Sequence, residues 1–132
     1  MALGATPLDS ICTIWYRLIV AHSSTTGFVA INTIHCREEY LDRFETLFQT
    51  RAKAIDRRPG FRSMEVLKPA AEGQPYLVVS HWDDEASFRA WVGSEEFHEG
   101  HKRAFEDLRL AKEQGHEAPM TSQMATYHVL TR

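Results

Sequence analysis

The chain contains one asparagine, Asn32, and local preference argues against its position. The surrounding FVAINTIHC is rich in β-branched residues and reads as a strand, a setting from which asparagine is depleted. Both alternating faces are apolar: Phe28, Ala30 and Ile34 share one with Asn32, and Val29, Ile31 and Thr33 form the other. A buried carboxamide that finds no hydrogen-bond partner costs about 1–3 kcal/mol. Asn32 is therefore either a structural amide bonded to backbone at a bulge or edge, or a donor aimed into a pocket. Breaks in local rules often mark functional positions.

His101 is the second rule-breaker. Its helical neighbours Phe97, Ala104, Phe105 and Leu108 place it on an apolar stripe. It reads as a satisfied core histidine or as a neutral imidazole offered to a metal from an apolar wall. His98 lies at the flank of that stripe and reads as a solvated surface residue. The pair is not a zinc-protease helix, which needs its histidines four apart. Trp91 precedes His101 by ten residues, so one continuous helix would put them on different faces. Gly93-Ser94 between them breaks the helix and lets both meet one cavity, although Trp91 also reads as ordinary core filling. Trp82 reads as core or rim. Phe48 and Arg51 stand three apart on a predicted helix and are near neighbours there. Phe48 suits core or pocket. Arg51 is either a solvated charge or a clamp for a carboxylate beside an apolar pocket.

Four strands and three helices must position these residues. The strands are predicted at Phe28–Cys36, Phe61–Lys68, Tyr76–Trp82 and Met120–Leu130. The first helix is predicted over Glu38–Ile55, from the apolar positions Leu41, Phe44, Leu47, Phe48, Ala52 and Ile55. Pro59-Gly60 ends it, and Pro69–Pro75 makes a hairpin-like loop. Asp83 or Asp84 caps a short helix over Glu85–Val92, which Gly93 stops. Ser94 caps the last helix, Glu95 to about Gln114. The order βαββαβ is a ferredoxin-like split unit, an α+β sandwich with helices on one sheet face. The third strand is apolar on both faces, with Leu77, Val79 and His81 opposite Tyr76, Val78 and Ser80. A second copy packed sheet to sheet would cover the face the helices leave bare, so a homodimer is expected.

Composition narrows the setting. A length of 132 residues fits about one domain. With 15 Lys+Arg against 18 Asp+Glu the net charge is −3, which gives no electrostatic footprint for nucleic acid. Cys12 and Cys36 cannot form a disulfide framework, and no CxxC pair suggests zinc. No run reaches the roughly 18 apolar residues of a membrane span. The nearest, Ile11–Ala21, is interrupted by Arg17, and residues 1–10 lack the basic residues of a secretory signal. A cytoplasmic setting with reduced cysteines is expected. Residues 1–26 read as an N-terminal extension that ends in the polar linker AHSSTT, and residues 27–132 read as the domain.

From Phe28 to about Leu130 the chain resembles the antibiotic-biosynthesis-monooxygenase superfamily of dimeric α+β barrels. Within it, the chain is most similar to the IsdG-type haem-degrading monooxygenases. The resemblance rests on the strand asparagine in FVAINTI, the turn Arg58-Pro59-Gly60-Phe61, the strand end VSHW, and above all FRAWVGSEEFHEGHK, residues 88–102. Its specific part is the spacing of the strand Asn, F-x-x-W and S-x-x-F-x-x-[AG]-H-K. The resemblance implies that haem is both substrate and cofactor, with His101 as the axial ligand of its iron. It implies that Trp91 presses on the porphyrin and ruffles it, that Asn32 donates toward the oxygen being activated, and that Phe48 and Arg51 lie near the haem. It further implies O2 and an external electron donor as co-reactants, and an open-chain tetrapyrrole and iron as products. Short family members lack the 26-residue extension. Three other readings stay open at this level: a cofactor-independent quinol-type monooxygenase of the same fold with His101 as a base, a haem carrier or sensor, and a structural dimer module.

Overall fold

The computed structural model of the chain describes residues 27–132. The expected N-terminal extension, Cys12 included, lies outside the described residues. The elements are β1 (Phe28–Cys36), a 3-10 turn at Glu38–Tyr40, α1 (Leu41–Gln49), a 3-10 turn at Ala54–Arg57, β2 (Phe61–Leu67), β3 (Tyr76–Trp82), α2 (Glu85–Val92), α3 (Glu95–Glu113) and β4 (Met120–His128). The four strands form one antiparallel sheet in the order β2-β3-β1-β4, the ferredoxin-like arrangement. No helix among the described residues is long and apolar enough to cross a membrane.

Register sorts the sheet into two faces. Asn32 stands across from Val78 on β3 and Met124 on β4, and Val78 in turn from Val66 on β2. This is the face the helices cover. The opposite face carries the rows Glu65–Val79–Ile31–Ala125 and Leu67–Leu77–Thr33–Gln123. Two apolar clusters fill the covered face. Phe28, Ala54, Ile55, Trp82 and Trp91 form one, and Ile34, Tyr40, Phe44, Leu47 and Tyr76 form the other. Along β1, Ala30 and Asn32 fall between the members of the two clusters, Phe28 and Ile34.

The first helix departs from expectation. The spacing predicts one helix over Glu38–Ile55, but α1 ends at Gln49 and a short irregular stretch leads into the turn at Ala54–Arg57. Lys53 sits in the left-handed region, φ 57°, where a continuing helix is impossible. Ala52 is consequently exposed, whereas Ala54 and Ile55 enter the core beside Trp82 and Trp91. The released helix end is closed from elsewhere, by Arg103 of α3, which donates to the carbonyl oxygens of Leu47 and Thr50 at 3.0 Å each.

The second break falls where expected. Asp84, not Asp83, caps α2 by accepting from Ser87 N at 2.8 Å, while Asp83 pairs with Arg62. Ser94 Oγ accepts from Phe97 N at 3.2 Å and donates to Trp91 O at 2.6 Å, so one hydroxyl both ends α2 and starts α3. The turn before β2 needs its glycine: Gly60 has φ 80°, and a Cβ there would fall 2.1 Å from Ser87 Oγ on α2.

Candidate functional site

Asn32, Phe48, Arg51, Trp91 and His101 all line one cavity of about 250 Å³ between the sheet and the helices. Five separate pieces of chain supply them: β1, α1, the stretch after α1, α2 and α3. The remaining lining is mostly apolar and includes no aspartate or glutamate. Such a cavity, apolar with a few placed polar groups, is the usual form of a small-molecule site.

His101 is the best-defined group in it. The residue is half-buried, and its Nδ1 lies 2.6 Å from the backbone oxygen of Phe97. A carbonyl oxygen only accepts, so Nδ1 carries the proton and Nε2 keeps its lone pair. Burial lowers the pKa of the ring below its ordinary value, partly offset by the bond to Phe97, and so favours the neutral imidazole. Phe97 stacks on the ring at a centroid distance of 4.1 Å and Phe105 at 5.6 Å, which fixes the plane.

Trp91 is 5 % exposed and belongs to the core cluster as well as the cavity wall, so both readings of it hold. Its ring lies 6.3 Å from that of His101, centroid to centroid, and meets Phe97 edge-on at 5.4 Å. It reaches α3 at Gly100, where a Cβ would lie 3.7 Å from Trp91 Cη2. The Gly93-Ser94 break thus does bring Trp91 and His101 together. Trp82 is fully buried, and its Nε1 donates to Ser80 Oγ at 2.9 Å. His98 is exposed.

Asn32 is half-buried, and its Oδ1 is buried without a hydrogen-bond partner. Among the described residues only Arg58 Nε shares that condition, and Arg58 does not line the cavity. Asn32 lies at neither a bulge nor a sheet edge. β1 pairs without interruption through it on both sides, and its carboxamide oxygen bonds nothing.

Phe48 and Arg51 do not share a helix, because α1 stops between them. Phe48 packs on Phe44 at 5.0 Å. Arg51 lines the cavity, but its guanidinium is paired with Asp56 at 3.0 Å. Spacing missed Lys53 and Arg103, whose places in the lining depend on the break after α1. It also missed Ser122 and Met124. Setting the alternation of β4 against Asn32 could have found them, since they stand across β1 from Ile34 and Asn32.

Among the described residues no group of three or more His, Cys, Asp or Glu could hold a bare metal ion. A single imidazole in an apolar cavity suits an ion that arrives with its other ligands already in place, as iron does in haem. The lone Nε2, the unpartnered amide oxygen and a lining that holds cations but no carboxylate all fit that group.

A family model described as antibiotic biosynthesis monooxygenase matches residues 27–103. A heme oxygenase (mycobilin-producing) from Mycobacterium tuberculosis is 33% identical over 76 residues, spanning 56% of this chain and 72% of that protein. A heme-degrading monooxygenase from Listeria monocytogenes is 31% identical over 81 residues, 60% of this chain and 48% of that one. The structure of the heme-degrader MhuD from M. tuberculosis with two hemes bound in its active site superposes with a TM-score of 0.57 at 26% identity, covering 80% of this chain and 97% of that one. SnoaB, a cofactor-independent oxygenase from Streptomyces nogalater, superposes with a TM-score of 0.56 at 20% identity, over 80% of this chain and 93% of that one, and shares the fold. With the sheet order, the cavity and the sequence match in agreement, the chain belongs to the antibiotic biosynthesis monooxygenase family.

Proposed function

We propose that this protein is a haem-degrading monooxygenase that opens the porphyrin ring and releases iron and an open-chain tetrapyrrole. The observation that carries the reading is His101: its Nδ1 is committed to Phe97 O, so its Nε2 is the free ligand atom of a cavity without carboxylates. Relatives named as heme oxygenase and heme-degrading monooxygenase support it. Haem, when bound, is both the substrate and the centre that reduces O2 with electrons from an external donor.

The chain's own groups then have separate tasks. His101 would hold the iron, and its bond to Phe97 O keeps the ring in the tautomer and orientation that ligation needs. Asn32 presents a carboxamide whose oxygen has no partner within the protein and whose Nδ2 would be the donor. It orients and stabilises charge that develops during oxygen activation. Trp91, anchored in the core and against Phe97, is a wall that does not yield. Trp91 would press on a bound macrocycle, and distortion is one of a protein's levers on haem chemistry. Phe48 adds apolar surface, and Arg51 steadies a propionate while sharing its charge with Asp56. The working unit is a cytoplasmic homodimer joined through the sheet face that the described helices leave uncovered.

Hemin titration of the purified protein tests this. A one-to-one Soret shift is expected, and His101→Ala should abolish it. Absence of a shift in the wild type refutes the haem reading. A reductant added in air should then bleach the Soret band and release iron. A persistent spectrum would instead identify a carrier.

A further inference from the structure

Arg103 stands two residues beyond His101 on α3, yet it spends its guanidinium on the far wall of the cavity. One terminal nitrogen donates to Leu47 O and to Thr50 O, at 3.0 Å each, and the other to Thr50 Oγ1 at 3.0 Å. Thr50 Oγ1 in turn donates to Thr46 O at 2.6 Å. These carbonyls end a helix, where a cation is favoured and backbone acceptors otherwise lack partners. The segment that follows carries Arg51 and Lys53, both lining the cavity, and Lys53 is held in the left-handed region at φ 57°. A non-glycine residue stays there only when its surroundings over-determine it. The Arg51–Asp56 pair spans this segment, and the Arg103 bonds anchor its start.

We infer that Arg103 is a positioning residue that fixes residues 50–55 against α3, so that Arg51 and Lys53 face the cavity and give it a preference for ligands bearing carboxylates. This rests on the haem reading above and adds a determinant of specificity to it. Arg103 acts through other residues: three of its five N–H donors go to the end of α1 and to Thr50. The rigid fork of arginine matters, because a lysine would supply the charge without the parallel bonds.

The test compares wild type, Arg103→Ala, Arg103→Lys and Thr50→Val in two measurements. The first is backbone hydrogen exchange of the hemin-free protein over residues 50–55. R103A should accelerate it about tenfold, the equilibrium worth of one charge-assisted hydrogen bond, with β1 and β3 unchanged. The second is the affinity for hemin relative to hemin dimethyl ester, which lacks the free carboxylates. Wild type should prefer hemin. R103A should lose most of that preference through weaker hemin binding alone, with the Soret position unchanged because His101 remains. R103K should stay close to R103A, T50V should fall between, and R103K carries the test should R103A fail to fold. A merely structural role would weaken both ligands equally, and that result overturns the inference. So do unchanged exchange over 50–55 and a wild type that does not distinguish the two ligands. If wild type binds neither ligand, the haem reading falls, while the exchange measurement still decides whether Arg103 holds the segment.

Discussion

Replacing Asn32 with leucine separates a structural amide from a functional one, because the two roles predict opposite signs of stability change. Asn32 Oδ1 is buried and unpartnered, and the cross-strand neighbours of the residue are Val78 and Met124. Leucine is close to asparagine in shape and suits those neighbours. An unsatisfied buried polar group costs about 1–3 kcal/mol. The residue is only half-buried, so the expected gain lies at the low end, about 1 kcal/mol. For a domain of this size that raises the unfolding midpoint by roughly 3–6 °C. Urea and thermal unfolding of the hemin-free protein, followed by fluorescence of the buried Trp82 and Trp91, would measure it. The same N32L protein should bind hemin with a wild-type Soret band and fail to turn it over. A protein kept less stable than it could be by a residue it needs is the usual trade of stability for activity. The reasoning is refuted if N32L is less stable than wild type by about 1 kcal/mol or more, as loss of a structural hydrogen bond would require. It is refuted equally if N32L degrades hemin at the wild-type rate.

Three further outcomes are expected. Gly100→Ala should stabilise α3 by about 0.5–1 kcal/mol, since the added Cβ meets Trp91 Cη2 at an ordinary 3.7 Å; a lowered midpoint would show that the wall has no room there. Burial alone would raise the Asp107 carboxyl, but hydrogen bonds from Arg43 and Tyr40 outweigh it and hold its pKa below the ordinary value. Its contribution is therefore present above the unfolded pKa of about 4 and lost as pH falls below it. Asp107→Asn should cost about 1–2 kcal/mol at pH 7, the deficit shrinking toward pH 3 in urea unfolding curves; a deficit independent of pH would exclude the charge as its source. On the sheet face that the described helices leave uncovered, Val79→Arg places a cation beside Glu65 and among Ile31 and Val29. Sedimentation should show a wild-type dimer and a folded V79R monomer, and a monomeric wild type would remove the sheet-to-sheet homodimer.

The strands were legible from the β-branched run of β1, the alternation of β2 and the nearly continuous apolar run of β3, and the observed ends differ by no more than two residues. The ferredoxin-like order followed from the sequence of elements. The first helix was not legible to its end. Ala54 and Ile55 satisfy the core from a 3-10 turn as well as they would from a helix, so the apolar spacing runs on through the break. The break is closed by a contact 56 residues away in sequence, Arg103 to Leu47 O, and no local pattern carries that information. The Arg51–Asp56 pair is a consequence of it, since residues five apart on a helix do not face one another.

This difference explains which site residues could be read and which could not. Asn32 in a strand and His101 on an apolar stripe each violate the preference of their own element, and a violation is visible one residue at a time. Trp91 violates nothing, but the Gly93-Ser94 break beside it is itself a local signal. Lys53 and Arg103 carry no local signal: a lysine or an arginine in an amphipathic helical pattern is unremarked in any sequence. Their roles exist only once the helix end, the left-handed turn and α3 are assembled in space. Groups that would do chemistry are conspicuous because chemistry requires the wrong residue in an apolar place. Groups that hold the geometry use ordinary polar residues to satisfy ordinary backbone atoms, so they become visible only in the fold.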